Sequence, residues 1–277
     1  TYRFTPDGTI VCVYGISNES ILATIDLKTL NLQVIETPFT SISGLNICDS
    51  QLTYIAASSS RFPSVVIQDL NTLEIKVIKT SNQLDIDEAY FSMPKTIEFK
   101  TGQRKSDPLA TDQEVAHGFY YPATNKDFHG LDNELPPLLL MLHGGPTGAT
   151  SNALSLAKQF WTSRGVAVLD LNYRGSTGYG RQYRDKLRGN WGITDVEDCV
   201  AVCDFLVDQQ LADPNRLAIR GGSAGGYTTL CALTFTDTFK AGASHFGVSD
   251  LEALALDTHK FESRYLDSVV GPYPERQ

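Results

Sequence analysis

Ser223 stands in a sequence context that is typical of serine nucleophiles. The largely apolar run at residues 217–220 predicts a strand, and Gly221-Gly222-Ser223-Ala224-Gly225 follows it with the pattern G-x-S-x-G. Residues that can start a helix come next, so Ser223 is expected at the tip of a sharp strand-to-helix turn. Glycines flank it because strand and helix nearly touch there. A plain Gly/Ser-rich loop is the alternative, but this context favours a nucleophile with an exposed Oγ.

A second glycine-rich segment, His143-Gly144-Gly145-Pro146, follows the apolar run at residues 137–142. An acyl-transfer reaction at a serine needs N–H donors that bind the developing oxyanion. The residue after the nucleophile, here Ala224, supplies one donor, and the loop after an earlier strand supplies the other. We expect the Gly145 amide to be that second donor, with a plain tight turn as the alternative. His143 is interpreted as structural, since the catalytic histidine follows the serine in this type of fold.

The base and the acid that should activate Ser223 are not found at the expected places. Such serines use a histidine held by a carboxylate, in the chain order Ser, Asp or Glu, His. Only His245 and His259 follow Ser223, and neither leaves room for the strands that should come between. Asp250 is a weak candidate for the acid. We therefore expect both partners beyond Gln277, a chain that is a fragment at both ends, and no turnover of a peptide p-nitroanilide by these 277 residues alone.

Strand and helix patterns alternate through the part of the chain that carries these motifs. Strands are predicted at residues 93–100, 115–121, 137–142, 165–172, 217–222 and 241–248, helices at 155–164, 195–210 and 249–265, and a polar loop at 101–111. This order predicts an incomplete α/β-hydrolase fold over residues 93–277, with a mostly parallel sheet and helices on both faces. Asp195, Glu197 and Asp198 are interpreted as partners of a helix dipole and not as a catalytic carboxylate pair.

The N-terminal third of the chain contains a repeat. Residues 26–37 (DLKTLNLQVIET) and 69–80 (DLNTLEIKVIKT) align without a gap at an offset of 43 residues, and strand-like runs surround each copy. About four short strands per repeat of this length are typical of a β-propeller blade. We predict that residues 1–92 are the last two blades of a truncated β-propeller, with a small β-sandwich as the alternative. No catalytic residues are expected in this region.

Composition narrows the classes of partner and compartment. The net charge is −9 and the pI is about 5.0, without a Lys/Arg cluster, which argues against nucleic acid or an anionic membrane as partner. Five cysteines lack the spacing of a disulfide framework, which favours a reducing, cytoplasmic compartment. Cys199 and Cys203 are interpreted as buried small hydrophobes and not as a metal pair. The glycines of residues 173–180 have the wrong spacing for a phosphate cradle, so no nucleotide cofactor is predicted. No metal is predicted either.

Four motifs in order resemble the prolyl oligopeptidase family of serine peptidases, in the branch of acylaminoacyl-peptidases and dipeptidyl aminopeptidases. They are residues 143–146 (HGGP), 172–180 (NYRGSTGYG), 221–226 (GGSAGG) and 261–265 (FESRY). The resemblance runs from about Met93 to the C-terminus, and the repeats before it agree with the N-terminal propeller of that family.

This resemblance implies a peptidase that cleaves short peptides through an acyl-enzyme on Ser223, with the propeller limiting access. It also implies that Phe261 lines the pocket for the residue before the cleaved bond, although a core or rim aromatic is the alternative. The choice between oligopeptidase and exopeptidase stays open, as does a homo-oligomer. A carboxylesterase and an inactive binding scaffold are the competing hypotheses. The propeller repeats argue against the first, and the intact G-x-S-x-G motif argues against the second.

Overall fold

The computed structural model describes residues 1–17, 19–101 and 114–275, which form two compact units. The first unit contains Thr1–Met93 together with Ser151–Gln159, and the second contains Pro94–Thr150 and Phe160–Gln277. Apart from Thr101, the loop predicted at residues 101–111 lies outside the described residues.

Two four-stranded antiparallel sheets build the first unit, each in simple sequential strand order. Their strands are β1 (Tyr2–Phe4), β2 (Ile10–Ile16), β3 (Glu19–Ile25) and β4 (Leu32–Val34) in one sheet, and β5 (Ser41–Cys48), β6 (Gln51–Ser58), β7 (Arg61–Asp69) and β8 (Ile75–Thr80) in the other. Both sheets contribute to one hydrophobic core, in which Leu22, Leu45 and Leu52 are almost completely buried.

The sequence repeat produces the same turn in both sheets. Asp26 Oδ1 accepts the N–H groups of Lys28 and Thr29, each at 2.8 Å. Asp69 Oδ1 accepts those of Asn71 and Thr72 at 2.8 and 3.0 Å. These N–H groups lower the pKa of each aspartate. The predicted four strands per repeat are confirmed.

A short segment far along the chain belongs to the first unit. Asn152 accepts a hydrogen bond from Thr40 Oγ1 at 2.8 Å, and the Leu154 N–H donates to the Ser58 carbonyl at 2.8 Å. The side chain of Gln159 bonds both backbone groups of Ser92. Nothing in the sequence pattern separates residues 151–159 from their neighbours, so their place in this unit was not predicted.

The second unit is built on a mixed six-stranded sheet in the order β14-β13-β11-β12-β10-β9. Its strands are β9 (Lys95–Thr101), β10 (Glu114–Tyr121), β11 (Leu138–Leu142), β12 (Ala167–Asn172), β13 (Leu217–Gly222) and β14 (Ala241–His245). The last four run parallel to one another, while β10 pairs antiparallel with both β9 and β12. The sheet is therefore parallel at the side that carries Ser223.

Helices follow most of these strands: α1 (Leu156–Thr162), α2 (Arg181–Asp185), α3 (Thr194–Asp208), α4 (Ala224–Phe235), α5 (Leu251–Leu256) and α6 (Tyr265–Val269). Only the last three residues of α1 belong to the second unit. Leu138, Leu140 and Leu142 of β11 pack in a core with residues of α3 and α4. Leu139 and Met141 point to the opposite face, where Trp161 of α1 packs. Side chains alternate across a strand, so both faces of the sheet are covered.

Three predictions from the sequence can be compared with these helices and their burial. Residues 249–265 were expected to be mostly helical, but only α5 and the first residue of α6 fall in that range. Asp195 and Asp198 lie in the first turns of α3 as expected, yet both are completely buried, which the helix pattern did not indicate. Cys199 and Cys203 are buried in the core as predicted.

Within the described ranges, every helix is too short or too polar to cross a lipid bilayer.

Candidate active site

Ser223 lies between the end of β13 and the start of α4, with an exposed side chain. Its backbone has φ 53° and ψ −121°, a conformation that non-glycine residues rarely adopt. The Ser223 N–H donates to the His245 carbonyl of β14 at 3.0 Å, and the Ser223 carbonyl accepts the Gly226 N–H of α4 at 2.9 Å. The strained turn predicted from the sequence is therefore present and is held from both sides.

The glycines around Ser223 are required by close approach of backbone. A Cβ on Gly221 would lie 2.2 Å from the Gly225 carbonyl oxygen, and one on Gly225 would lie 2.6 Å from the His143 carbonyl oxygen. Real side chains do not reach such distances, so only glycine lets strand β13, helix α4 and the end of β11 meet here.

The loop after β11 lies against Ser223. A Cβ built on Gly144 would lie 3.4 Å from the Ser223 Cβ, and Gly145 has an exposed backbone with φ 130°. Ala224 is the first residue of α4, where an N–H group has no partner within the helix. The positive end of the helix dipole also lies at this point.

One pocket of about 200 Å³ brings most of the predicted site residues together. Its lining includes Ser223, Ala224 and Gly145. Phe261 is not part of this lining, and its side chain is 95% exposed. The catalytic roles of the first three and the pocket role of Phe261 stay predictions.

His143 has the structural environment predicted for it. Its ring stacks on Tyr173 with centroids 4.4 Å apart, Nε2 lies 2.8 Å from Ser176 Oγ and Nδ1 lies 2.9 Å from the Gly144 carbonyl. Burial lowers the pKa of His143, so the ring is held neutral. Tyr173 in turn donates its hydroxyl to the Pro146 carbonyl at 2.8 Å. The two rings fix the backbone on both sides of Gly144 and Gly145.

Arg174 anchors the segment that carries Tyr173 and Ser176. Only 4% of Arg174 is exposed. Its backbone N–H and its Nε donate to the two carboxylate oxygens of Asp198 at 2.6 and 2.8 Å. Glu114 of β10 and Glu197 of α3 also pair with the guanidinium group. The sequence analysis did not predict this network. A signal was available, because Arg174 stands between a buried strand and a glycine-rich loop, and acidic residues cluster at the start of the following helix α3.

Asp195 contacts helix α4 close to the turn at Ser223. It accepts hydrogen bonds from the Thr228 hydroxyl of α4 and, at 2.7 Å, from the Gly192 N–H. Burial raises its pKa to about 6. The contact joins the starts of α3 and α4, because Thr228 lies one turn into the helix that begins after Ser223.

Further pocket residues were not predicted individually from the sequence. The Tyr265 hydroxyl accepts the Thr147 N–H at 3.2 Å and lies 2.7 Å from Thr147 Oγ1, so α6 is tied to the loop that carries Gly145. Trp191 and Glu262 also line the pocket. The motif at residues 261–265 was the signal for this region, but it pointed to Phe261 and not to its neighbours Glu262 and Tyr265.

No histidine ring among the described residues hydrogen-bonds to Ser223 Oγ. His245 contacts Ser223 through its backbone carbonyl, and the His259 ring lies 3.7 Å from the Glu262 carboxylate. The described site thus contains an exposed serine and a candidate oxyanion loop, but no histidine ring that could act as the base lies within hydrogen-bond distance of Ser223 Oγ.

A serine at a strained strand-to-helix turn, above a mixed sheet with helices on both faces, is the arrangement of a serine hydrolase of the α/β class. Residues 152–276 match the model of the prolyl oligopeptidase family. The chain is therefore related to the prolyl oligopeptidase family of peptidases, as its four motifs predicted.

Individual proteins agree with this relationship. The chain is 40% identical over 134 residues to dipeptidyl aminopeptidase BIII of Pseudoxanthomonas mexicana, covering 48% of this chain and 19% of that protein. It is 35% identical over 119 residues to the acylamino-acid-releasing enzyme of Arabidopsis thaliana, covering 43% of this chain and 16% of that protein. The solved structure of a Mycobacterium tuberculosis puromycin-hydrolyzing peptidase superposes with a TM-score of 0.92 at 40% identity, covering 99% of this chain and 41% of that one. The chain thus spans less than half the length of these relatives.

Proposed function

We propose that this chain is part of a serine peptidase that hydrolyses peptide bonds of short peptides through an acyl-enzyme on Ser223. The observation that carries the proposal is the backbone of Ser223, because a positive φ is costly for serine and leaves its side chain exposed at a pocket. Strained backbone conformations cluster at active sites and ligand-binding segments. The relatives are named as peptidases and support the same reaction class.

In this proposal Ser223 Oγ attacks the carbonyl carbon of the scissile bond and forms a tetrahedral intermediate. The N–H groups of Ala224 and Gly145 bind the oxyanion, which is where preorganised donors contribute most to the rate. Collapse of the intermediate breaks the C–N bond, the leaving amine takes up the proton that the base received from Ser223, and an ester remains on Ser223 that water then hydrolyses. His143 acts only through position, since its ring is engaged by Tyr173, Ser176 and Gly144.

The proton of Ser223 needs a base, and we propose that the histidine and its carboxylate partner come from outside residues 1–277. The reason is geometric, since neither the His245 ring nor the His259 ring hydrogen-bonds to Ser223 Oγ in the described residues: His245 meets Ser223 only through its backbone carbonyl, and the His259 ring lies near the Glu262 carboxylate. We also propose that the first unit consists of β-propeller blades. Two sequential four-stranded antiparallel sheets related by a sequence repeat support that assignment.

A fluorophosphonate probe tests the nucleophile directly, because it reacts with activated serines irrespective of substrate preference. The full-length protein should be labelled, and Ser223→Ala should abolish the labelling, whereas Ser263→Ala, a change of an exposed serine near the pocket, should not. Labelling with hydrolysis of esters but not of peptide p-nitroanilides would indicate a carboxylesterase. Absence of labelling would indicate an inactive scaffold and contradict the proposal.

A further inference from the structure

The pocket beside Ser223 has an apolar wall and a single carboxylate. Its apolar lining residues are Pro146, Trp191, Val248, Leu254 and Leu266. Its polar members besides Ser223 are Thr258, Glu262 and Tyr265, of which only Glu262 carries a negative charge. A volume of about 200 Å³ is below the roughly 300–1,000 Å³ of sites for drug-sized ligands, so the pocket suits one amino-acid residue.

Glu262 has a fixed backbone position in this pocket. Its N–H donates to the His259 carbonyl at 3.0 Å, and its carbonyl accepts the Tyr265 N–H at 2.9 Å. Tyr265 in turn bonds to Thr147, two residues after Gly145. These bonds connect the Glu262 backbone to the candidate oxyanion loop, so its side chain starts from a defined position at the pocket.

The charge of Glu262 is not neutralised by a lysine or arginine among the described residues. The ion pair found for it is with His259 Nε2 at 3.7 Å, and that ring is charged only when protonated. The nearby Arg264 is paired instead with Asp267 at 3.0 Å. An available carboxylate at an apolar pocket favours a ligand that brings a positive charge.

We infer that this pocket binds a substrate residue carrying a protonated amine and that Glu262 recognises it. The inference rests on the proposed peptidase function, since the pocket residue is then the one beside the bond that Ser223 attacks. The amine can be the free α-amino group of an N-terminal residue or the side chain of a lysine. Both place an ammonium group against the carboxylate, and the experiment distinguishes them.

Three p-nitroanilides separate the possibilities in the full-length protein. Leucine p-nitroanilide carries the α-amine, N-acetyl-lysine p-nitroanilide carries only the side-chain amine, and N-acetyl-leucine p-nitroanilide carries neither. We expect kcat/KM for at least one cationic substrate to exceed that of the neutral one by about tenfold or more. Glu262→Gln should remove this preference, mainly by raising KM, while Asp257→Asn, on the same exposed segment but outside the pocket lining, should retain it. The rate of fluorophosphonate labelling of Ser223 checks that each variant is folded.

A binding measurement keeps the inference testable if none of these substrates is turned over. In a Ser223→Ala protein, quenching of tryptophan fluorescence should show leucine amide or N-acetyl-lysine amide binding at least about tenfold more tightly than N-acetyl-leucine amide, and Glu262→Gln should equalise them. Equal use and equal binding of the neutral compound by the unaltered pocket would overturn the inference. So would a preference that survives Glu262→Gln. Failure of the proposed function is distinct, because it appears as an unlabelled Ser223 whatever the binding result.

Discussion

At the residue scale, the environment of Ser223 depends on neighbouring glycines that have no Cβ atom. The missing side chains of Gly221 and Gly225 allow strand, helix and loop backbones to approach within contact distance. The rings of His143 and Tyr173 then fill the space behind the loop. The position of Ser223 thus depends on close backbone packing and not on any single side chain.

Gly221→Ala tests this dependence. The new Cβ would lie 2.2 Å from the Gly225 carbonyl oxygen, which is backbone and can move only if α4 moves. We expect the free energy of unfolding to fall by about 3 kcal/mol or more, together with loss of fluorophosphonate labelling. Gly130→Ala is the matched control, since no atom lies within 4 Å of a Cβ there, and it should change stability by less than about 0.5 kcal/mol. Equal urea midpoints for the two variants would contradict the interpretation.

His143 predicts a dependence of stability on pH. Its pKa is lowered in the folded protein because burial disfavours the charged ring, so below about pH 6.5 the unfolded chain binds a proton that the folded protein does not. The free energy of unfolding therefore falls as the pH drops through 6.5 toward the lower folded pKa. His143→Gln should reduce this slope, measured by denaturation between pH 8 and 5. His129→Gln, a change of an exposed histidine, should leave it unchanged, and an unaltered slope in His143→Gln would show the interpretation to be wrong.

At the element scale, Arg174 joins β12, β10 and α3 through buried charge. Asp198 is 0% exposed and receives two hydrogen bonds from Arg174. Arg174→Met leaves this carboxylate buried without its cation, and we expect a loss of about 3–5 kcal/mol in the free energy of unfolding. Arg216 pairs with Asp213 and Glu134 at the surface, where its side chain is 39% exposed. Arg216→Met should therefore cost no more than about 1 kcal/mol, and similar losses for the two variants would refute the distinction.

The elements that were predictable from the sequence are those with strong local signals. The repeat at residues 26–37 and 69–80 predicted the strands and turns of the first unit, and continuous apolar runs predicted β11, β12 and β13. The G-x-S-x-G pattern predicted the turn at Ser223 because its glycines meet a steric need that is itself local.

The remaining features depend on contacts distant in sequence. Tyr265 reaches Thr147 across 118 residues, and Arg174 reaches Glu114 across 60. Helix periodicity reports which face of α3 is apolar, but it does not report that Asp195 and Asp198 are buried against partners on other segments. Phe261 was the conspicuous aromatic of its motif, yet the structure exposes it and brings Glu262 and Tyr265 to the pocket instead.

At the scale of the whole molecule, the described residues place the proposed nucleophile Ser223 at a pocket without a histidine ring hydrogen-bonded to its Oγ. Removing the histidine or the serine of a catalytic triad lowers the rate by about 10⁶-fold. We expect residues 1–277 alone to hydrolyse a peptide p-nitroanilide at no more than about 10⁻⁴ of the rate of the full-length protein. The comparison with Ser223→Ala in both forms is decisive, because serine-dependent turnover by the 277 residues at a comparable rate would mean that the base lies within them.

Strand β14 has a consequence for the behaviour of this chain in solution. All five of its residues are exposed, and within the described residues it pairs with β13 alone, so one row of its N–H and C=O groups faces outward. Leu233, Phe235 and Phe246 add exposed apolar surface. An open strand edge of this kind templates pairing with another chain. Light scattering by residues 1–277 should therefore increase with protein concentration and ageing, and a lysine in place of the exposed Ala241 or Ala243 of β14 should suppress that growth without altering the monomer.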